Sequence, residues 1–540
     1  MPTLNWIGKE KVLNHHRDVP FKVLEHKYGF NKTDGEVKDA VNSGNKIIHG
    51  DNLEALKSLL PEYEGKIKCI YIDPPYNTGN ENWVYNDNVN HPKIKKWLGQ
   101  VVGSESDDLS RHDKWLCMMY PRLKLLHKLL SIEGAIFISI DDNEQANLKL
   151  ICDEIFGISN FAASIPWRKR TAKSDVPFGI SQDYESILCY SKKGKFYAAI
   201  EGRERKYYTT PDFPNRQWRV HDLTKQTTAK ERPNSFFTIV NPKNGQEFPA
   251  NPLRTWAITK ETFPEYLADD RIVFPGDYNF LNVTKPVLRY WKDDDRKNTG
   301  GNFGFVAMST NLPKNVGMTQ DGTKEITAIF GEKKFSFPKP STLIQYLINA
   351  IITSNNNAIV LDSFAGSGTS AHAVLNLNKL DGGNRKFILV EMEDYANTIT
   401  AERVKRVIKG YGDKEGTGGS FDYYELGKPL FTGENNEFLN EEVDISKIRE
   451  YIWYSETRKA FAQPEVKTET PYFLGKKEGT AYYFIYEKES LTTLDYDTLS
   501  IIKTRAGQYV IYADNCLLPK DFMMKKNIVF KKIPRDVTRF

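Results

Sequence analysis

Short apolar runs alternate with amphipathic stretches in two separated blocks of the chain. In the first block, "KIIHGDNLEALKSLL" from Lys46 is an apolar run, a Gly-Asp turn, and then Leu53, Leu56, Leu59 and Leu60 at helical spacing. That pattern predicts strand, turn and helix. A strand ends at Asp73 in "CIYIDPPY", a long polar loop follows through "GSESDD", and a helix is predicted over about 114–130. "GAIFISI" (134–140) reads as a third strand, and Asp142 with Gln145 as a capping box for the helix "NEQANLKLICDEIF". The second block predicts a helix over 341–353, a strand over 358–362, a helix in "TSAHAVLNLN" and a strand over 386–392. Strands alternating with helices imply an α/β domain with a parallel, doubly wound sheet.

Between the blocks the texture changes. From Trp167 to Arg232 fifteen Lys or Arg face eight Asp or Glu, so this window carries +7 where the whole chain carries +5. Aromatic residues interleave with the charge in "WRKR", "KKGKFY", "RERKYY" and "RQWRV", and turn residues recur to about Pro313. A basic insertion is therefore expected within an α/β domain built from pieces at roughly 40–160 and 335–410. After a Gly-rich break, "GYGDKEGTGGS", the runs "TAYYFIYE" and "GQYVIYA" with a helical stretch near 498–502 predict a small C-terminal α+β module.

At 540 residues the chain is too long for one ordinary core. A pI near 8.5 permits a polyanionic partner without demanding one. Five scattered cysteines, with no C-x-x-C, read as free thiols and argue against a zinc site. Met1 is followed by "PTLNWIGKEK", without an apolar leader, and no window approaches a membrane-spanning run, so a soluble, cytoplasmic protein is expected.

Two motifs carry candidate chemistry. In "LDSFAGSGTS" a buried strand ends at Asp362, Gly366 and Gly368 permit a tight turn, and a helix starts near Thr369. This is a nucleotide-type turn, without the third glycine of the dinucleotide fingerprint, and the chain has no P-loop. Glu391 closes the next strand about 25 residues on, where a carboxylate can bind ribose hydroxyls. In "DPPY" Pro74 and Pro75 lock the backbone as it leaves the sheet. Asp73 and the Pro74 carbonyl can together accept both hydrogens of an exocyclic NH2, and the Tyr76 ring offers a stacking face. Such acceptors orient a weakly nucleophilic aromatic amine for methyl transfer without a covalent intermediate. Asp51 is open to two readings, facing the adenine end of a cofactor or capping the helix behind it. Asp362 could meet the amino group of an amino-acid-bearing cofactor or simply end its strand. His372 is expected to be a packed or surface residue.

Together these residues resemble the amino-methyltransferases of DNA, in which D-P-P-Y and F-x-G-x-G share one Rossmann-like domain. The match is Asp73-Pro74-Pro75-Tyr76 and Phe364-Ala365-Gly366-Ser367-Gly368, and the D-P-P-Y-first order is that of the β class. "DPPYNTGNENWVYND", "FISIDDNEQANLKLICDEIFG", "FPKPSTLIQYLI" and "GTGGSFDYYELG" further resemble the Mod subunit of type III restriction-modification systems.

The resemblance implies S-adenosylmethionine as donor and a flipped adenine N6 in double-stranded DNA as acceptor, aspartate at 73 favouring adenine. It also implies a homodimer and a separate ATP-driven Res subunit, which suits a chain without a P-loop. It implies Asp73, Pro74 and Tyr76 as catalytic. Asp51, Lys339, Ser341, Asp362, Phe364, Gly366, Gly368, Thr369 and Glu391 would line the cofactor site, with the segment around Lys339 at its methionine end, and no metal is implied. The expected organisation is an N-terminal extension (1–40), a catalytic half (41–164), a target-recognition domain (165–334), a cofactor half (335–414) and a C-terminal domain for dimer or Res contact (415–540). Competing readings are an orphan adenine methyltransferase and a non-catalytic DNA-binding specificity subunit. An NAD-dependent oxidoreductase would leave D-P-P-Y unexplained.

Overall fold

The computed structural model describes residues 3–78, 92–103, 110–171, 180–194, 196–202, 205–352, 355–433, 438–462 and 470–537. Residues 79–91 and 104–108 of the long polar loop expected between Asp73 and Asp108, and residues 172–179 of the basic segment, lie outside them; the described part of that loop is not all irregular, since Pro92–Val101 is a helix.

The core of the larger unit, residues 1–198 and 308–540, is one ten-stranded sheet. Its strands are β1 (Lys22–Asn31), β2 (Gly35–Val37), β3 (Lys46–His49), β4 (Ile67–Ile72), β5 (Leu130–Ile140), β6 (Phe161–Arg168), β7 (Tyr184–Ser191), β8 (Ile359–Asp362), β9 (Lys386–Glu391) and β10 (Ser420–Pro429). The spatial order is β2-β1-β10-β3-β9-β8-β4-β5-β7-β6. From β10 to β5 every neighbouring pair is parallel, while β1 and β7 flank this block antiparallel.

Parallel strands are buried on both faces, and their composition reflects it. In β4, Ile70 and Ile72 enter one hydrophobic cluster while Cys69 and Tyr71 enter the other. Helices α1 (Asn52–Tyr63), α2 (Arg111–Leu129) and α3 (Gln145–Phe156) cover the first face; α5 (Ser341–Ile352), α6 (Thr369–Asp381) and α7 (Glu402–Lys409) cover the second, joined by Ile329 of α4 (Thr319–Phe330). This is an α/β, Rossmann-like, doubly wound fold. Its strand order diverges between β8 and β4, and in such sheets ligands bind at the carboxyl ends of the strands flanking that switch point. Asp362 and Asp73 occupy those two ends.

Local reading of the chain departs from the structure in three further places. First, both termini feed the main sheet: β1, from the expected extension, pairs along β10, from the expected C-terminal region. Buried Asp422 in β10 ties them, accepting the Val41 and Asn42 N–H groups at 2.8 and 3.0 Å and contacting His26 Nε2 at 3.1 Å. Second, β6 and β7 extend the main sheet, so the separate compact unit begins at Ala199 and ends at Ala307, inside the expected 165–334 segment. Third, the Asp142–Gln145 capping box does not form. Helix α3 starts behind Glu144, and Asp141 instead accepts the Asn143 N–H at 3.0 Å.

The smaller unit is built around a four-stranded sheet of Tyr208–Thr210, Phe213–Asp222, Ile272–Val273 and Val287–Trp291. Several of its cations serve its own core. The Arg289 guanidinium lies 4.5 Å from the Phe213 ring centroid and 4.6 Å from that of Trp218, and Arg219 forms a 2.6 Å ion pair with Asp295. The expected C-terminal module is a sheet of Phe473–Lys477, Thr480–Phe484, Gln508–Ala513 and Ile528–Lys532. Among the described residues no helix is long and apolar enough to cross a membrane.

Gly322 in α4 lies directly beneath the Pro338–Lys339 backbone, and a Cβ there would run into the Pro338 carbonyl. Gly322→Ala is therefore expected to cost roughly 1–3 kcal/mol, the usual penalty of overpacking against rigid backbone, read as a lowered midpoint in chemical denaturation. An unchanged midpoint would show that the 337–339 segment yields freely.

Candidate active site

The D-P-P-Y turn leaves β4 in a fixed shape. The Trp115 indole donates to the Pro75 carbonyl at 2.6 Å, while among the described residues no protein group donates to the Pro74 carbonyl. Immediately after Tyr76 the chain turns through Asn77, at a left-handed φ of 59° that asparagine tolerates better than most residues. The Asn77 amide donates to the Arg111 carbonyl at 3.1 Å and to the fully buried Glu144. Glu144 is itself held by His112 at 2.7 Å and Asn147 at 2.8 Å.

Both oxygens of Asp73 are taken. Lys339 Nζ lies 2.9 Å from each, and the Tyr76 hydroxyl is 2.8 Å from Oδ1. The same ammonium donates to the Tyr76 oxygen at 2.8 Å and sits 3.4 Å from Glu185, which the Tyr76 hydroxyl also reaches at 3.1 Å. A hydroxyl has one proton, so Tyr76 accepts from Lys339 and donates to one of the two carboxylates. Lys169 closes the cluster, 3.3 Å from Glu185.

Burial pushes the Asp73 carboxyl above its ordinary range, against the pull of Lys339. Burial acts on Glu185 in the same sense, but Lys339 and Lys169 outweigh it and hold that carboxyl below its ordinary range. For Lys339, Asp73 and Glu185 overcome the desolvation penalty and raise the ammonium.

The glycine turn stands at the neighbouring strand end. Gly366 and Gly368 have φ of 53° and 80°, the left-handed region, and a Cβ on Gly368 would sit 2.9 Å from the Thr400 carbonyl oxygen. Asp362 accepts the Phe364 N–H at 3.0 Å and the Ser370 hydroxyl at 2.5 Å; burial nevertheless pushes it up to about 7. Glu391 accepts the Gly366 and Glu393 N–H groups at 2.8 and 2.9 Å, and burial pushes it up to about 8. Among the described residues no cation is in hydrogen-bond contact with either acid, so nothing there offsets the burial that raises both.

Asp73, Lys339, Asp362, Phe364, Gly366 and Thr369 line one cleft, with Phe335, Phe337 and Pro338 as its apolar wall. Asp51 and Glu391 stand at adjacent strand ends rather than on the cleft wall. Asp51 caps α1, accepting the Leu53 N–H at 2.8 Å, and lies 3.5 Å from buried Arg122.

The hydroxyls of Ser341 and Thr369 are committed inside the protein, to Glu325 at 2.5 Å and Arg403 at 2.8 Å. Fully buried Arg403 also binds Ser367 Oγ at 2.8 Å and Glu325 at 2.7 Å, clamping the glycine turn to α4 and the start of α5. His372 packs beneath this clamp, where burial lowers it to about 3 and keeps it neutral.

No motif pointed to Glu185, Glu325 or Arg403, and Lys169 entered only as part of the basic run "WRKR"; their places at the site are set by strand pairing or helix packing. Glu185, for instance, reaches Asp73 because β7 pairs antiparallel with β5, bringing Ser186 beside Ile140 at the carboxyl edge of the sheet.

An acidic two-proline turn and a glycine turn at adjacent parallel strand ends, joined by one cleft, define an α/β protein with a nucleotide-type pocket. More narrowly, the sequence profile of the DNA methylase family matches residues 67–402, and the chain belongs to that family. The StyLTI Mod subunit, a type III restriction-modification enzyme component of Salmonella typhimurium (strain LT2), is 35% identical over 375 residues, covering 66% of this chain and 54% of the relative. The EcoPI Mod subunit of Escherichia phage P1 is 30% identical over 465 residues, covering 75% and 68%. The type II methyltransferase M.KpnI of Klebsiella pneumoniae is 31% identical over 389 residues, covering 67% and 84%. The chain thus matches about half the length of the Salmonella relative.

Glu391 provides a test of the buried acids. With its folded pKa near 8 against an ordinary 4.5, the folded state keeps a proton that the unfolded chain releases. Its contribution is complete below the lower value and is lost as pH rises through the upper one. Glu391→Gln cannot titrate, so it is expected to gain on the wild type by up to about 1.4 kcal/mol per pH unit between roughly pH 5 and 8. Unfolding midpoints measured across that range, parallel for the two proteins, would show that Glu391 is ionised in the fold.

Proposed function

We propose that this chain transfers a methyl group from S-adenosylmethionine to adenine N6 in double-stranded DNA, as the modification and specificity subunit of a type III restriction-modification system. The observation that carries this reading is Asp73, a carboxylate held by a rigid two-proline turn and opening onto the same cleft as the glycine turn, in a chain of the DNA methylase family.

The residues fit the donor. The glycine turn permits close backbone approach, and Asp362 and Glu391 are unpaired with cations, so they suit the ammonium and ribose hydroxyls of an amino-acid-bearing nucleoside. In this reading Asp51, Ser341, Asp362, Phe364, Gly366, Gly368, Thr369 and Glu391 form or support that site. When bound, the cofactor supplies a methyl group on a sulfonium. The chain's own part is orientation. Asp73 and the Pro74 carbonyl accept the two amino hydrogens, which directs the nitrogen lone pair along the transfer axis, and the Tyr76 ring stacks on the base.

The compact unit at 199–307, inside the 165–334 segment expected for it, serves as the target-recognition region, supported by its interleaved basic and aromatic residues. A homodimer, a Res partner, residues 415–540 making the contact with one or the other, and a cytoplasmic location complete the proposal, supported by the relatives' description as Mod subunits.

Methylation-aware sequencing of DNA from a methylation-free host expressing the chain is the test. N6-methyladenine at one short recurrent motif is expected, with Asp73→Ala lowering it by about 10²–10³-fold, the usual loss on removing a preorganised electrostatic group. An unmarked genome, with folded protein that still binds DNA, would favour the specificity-subunit reading.

A further inference from the structure

The geometry points to Lys339 as a stand-in for the substrate amino group: its ammonium fills the seat between Asp73 and Tyr76 until a base arrives, then shifts onto Glu185. This rests on the proposed adenine methylation and gives Lys339 and Glu185 positioning roles within it, in place of the cofactor contact expected for Lys339.

Three observations carry it. The Asp73 oxygens, suited to receiving the amino group of the base, are both occupied by this one ammonium, 2.9 Å from each, and the Tyr76 hydroxyl holds it there at 2.8 Å. An ammonium and an amino group are both N–H donors, so one can replace the other on the same acceptors. Second, the ammonium has another berth within reach, Glu185 at 3.4 Å, which Lys169 holds in place from its far side. Third, the stem is anchored. Pro338 and Pro340 flank the residue, Gly322 lies beneath its backbone, and Phe337 ahead of it adopts a φ of 54°, a left-handed conformation that costs a non-glycine residue energy. A fixed backbone with a flexible four-carbon side chain confines any movement to the ammonium.

The exchange also keeps Asp73 charged. A neutral amino group cannot offset the burial of a carboxylate, but Lys339 on Glu185 remains close enough to do so, since an opposite charge within about 4–6 Å favours the ionised form. The other groups facing Asp73 are the hydroxyls of Tyr71 and Tyr76 and the carboxyl of Asp362; Asp141 and Lys169 face Glu185. Among them only Lys339 touches Asp73 with positive charge. Removing Lys339 therefore raises the carboxyl, and removing the negative charge of Glu185 lowers it.

The experiment uses the full chain as wild type, Lys339→Met, Lys339→Arg and Glu185→Gln. It reads S-adenosylmethionine binding by calorimetry and single-turnover methylation of a target duplex from about pH 5.5 to 9. Lys339→Met is expected to bind the cofactor within about threefold of wild type while the acid limb of its rate profile moves up by about one pH unit or more. Glu185→Gln is expected to move that limb down, and Lys339→Arg to leave it near wild type. Limbs unmoved, or moved the same way in Lys339→Met and Glu185→Gln, overturn the proposal. So does a tenfold loss of cofactor binding in Lys339→Met. If Lys339→Met does not fold, the direction of the Glu185→Gln shift decides alone. A wild type that binds cofactor but methylates no DNA sinks the functional reading itself, whereas an active wild type with unmoved limbs sinks only the role of Lys339.

Discussion

A lysine and an aspartate 266 positions apart in sequence meet in a buried ion pair, and the active-site region is organised around that contact. Asp73 follows β4 in the first half of the sheet, and Lys339 precedes α5 in the second. Neither charge is tolerable in a dry cleft alone, because an unpaired buried ion costs several kcal/mol. Their pairing therefore couples correct closure of the interrupted domain to the assembly of the cleft. A chain that inserts a whole compact unit between two halves of one sheet gains register specificity from such a pair, whatever its net contribution to stability.

The two fixed points of the site were legible because each is local. Two prolines behind an acid, and glycines at two left-handed positions between strand and helix, encode their backbone shape within a few residues. The strand and helix alternation was legible for the same reason: burial on both faces leaves continuous apolar runs such as "CIYI" and "KFILVE". What stayed hidden is long-range. β1 and β10 carry mixed patterns, and they join the sheet through Asp422, whose partners are more than 370 residues away in sequence. Sequence composition placed Trp167 in a basic insertion, yet its side chain is buried against the main sheet because β6 pairs with β7. Charge composition reads a segment's average character, and strand pairing is decided residue by residue.

Glu185 and Arg403 were invisible for a different reason. A single glutamate at a strand start and a single arginine in a helix occur on most surfaces, where they are solvated. Here each is buried because the groups around it need a counter-charge: Glu185 sits among two lysines, and Arg403 among Glu325 and three hydroxyl or imidazole groups of the cofactor half.

Four carboxyl groups in or beside the cleft thus divide into two kinds by their neighbours alone. Asp73 and Glu185 share the Lys339 ammonium; among the described residues Asp362 and Glu391 have only N–H and O–H donors, and burial lifts them to about 7 and 8. The first kind spends its charge inside the protein. The second kind is poised close to neutrality, so a cation or a polyhydroxyl ligand arriving beside it would draw out a proton and be held more tightly as a result. The division separates the labour of the proposed reaction along one sheet edge. Acids without cations await a positively charged donor molecule, and an acid with a displaceable cation awaits an amino group.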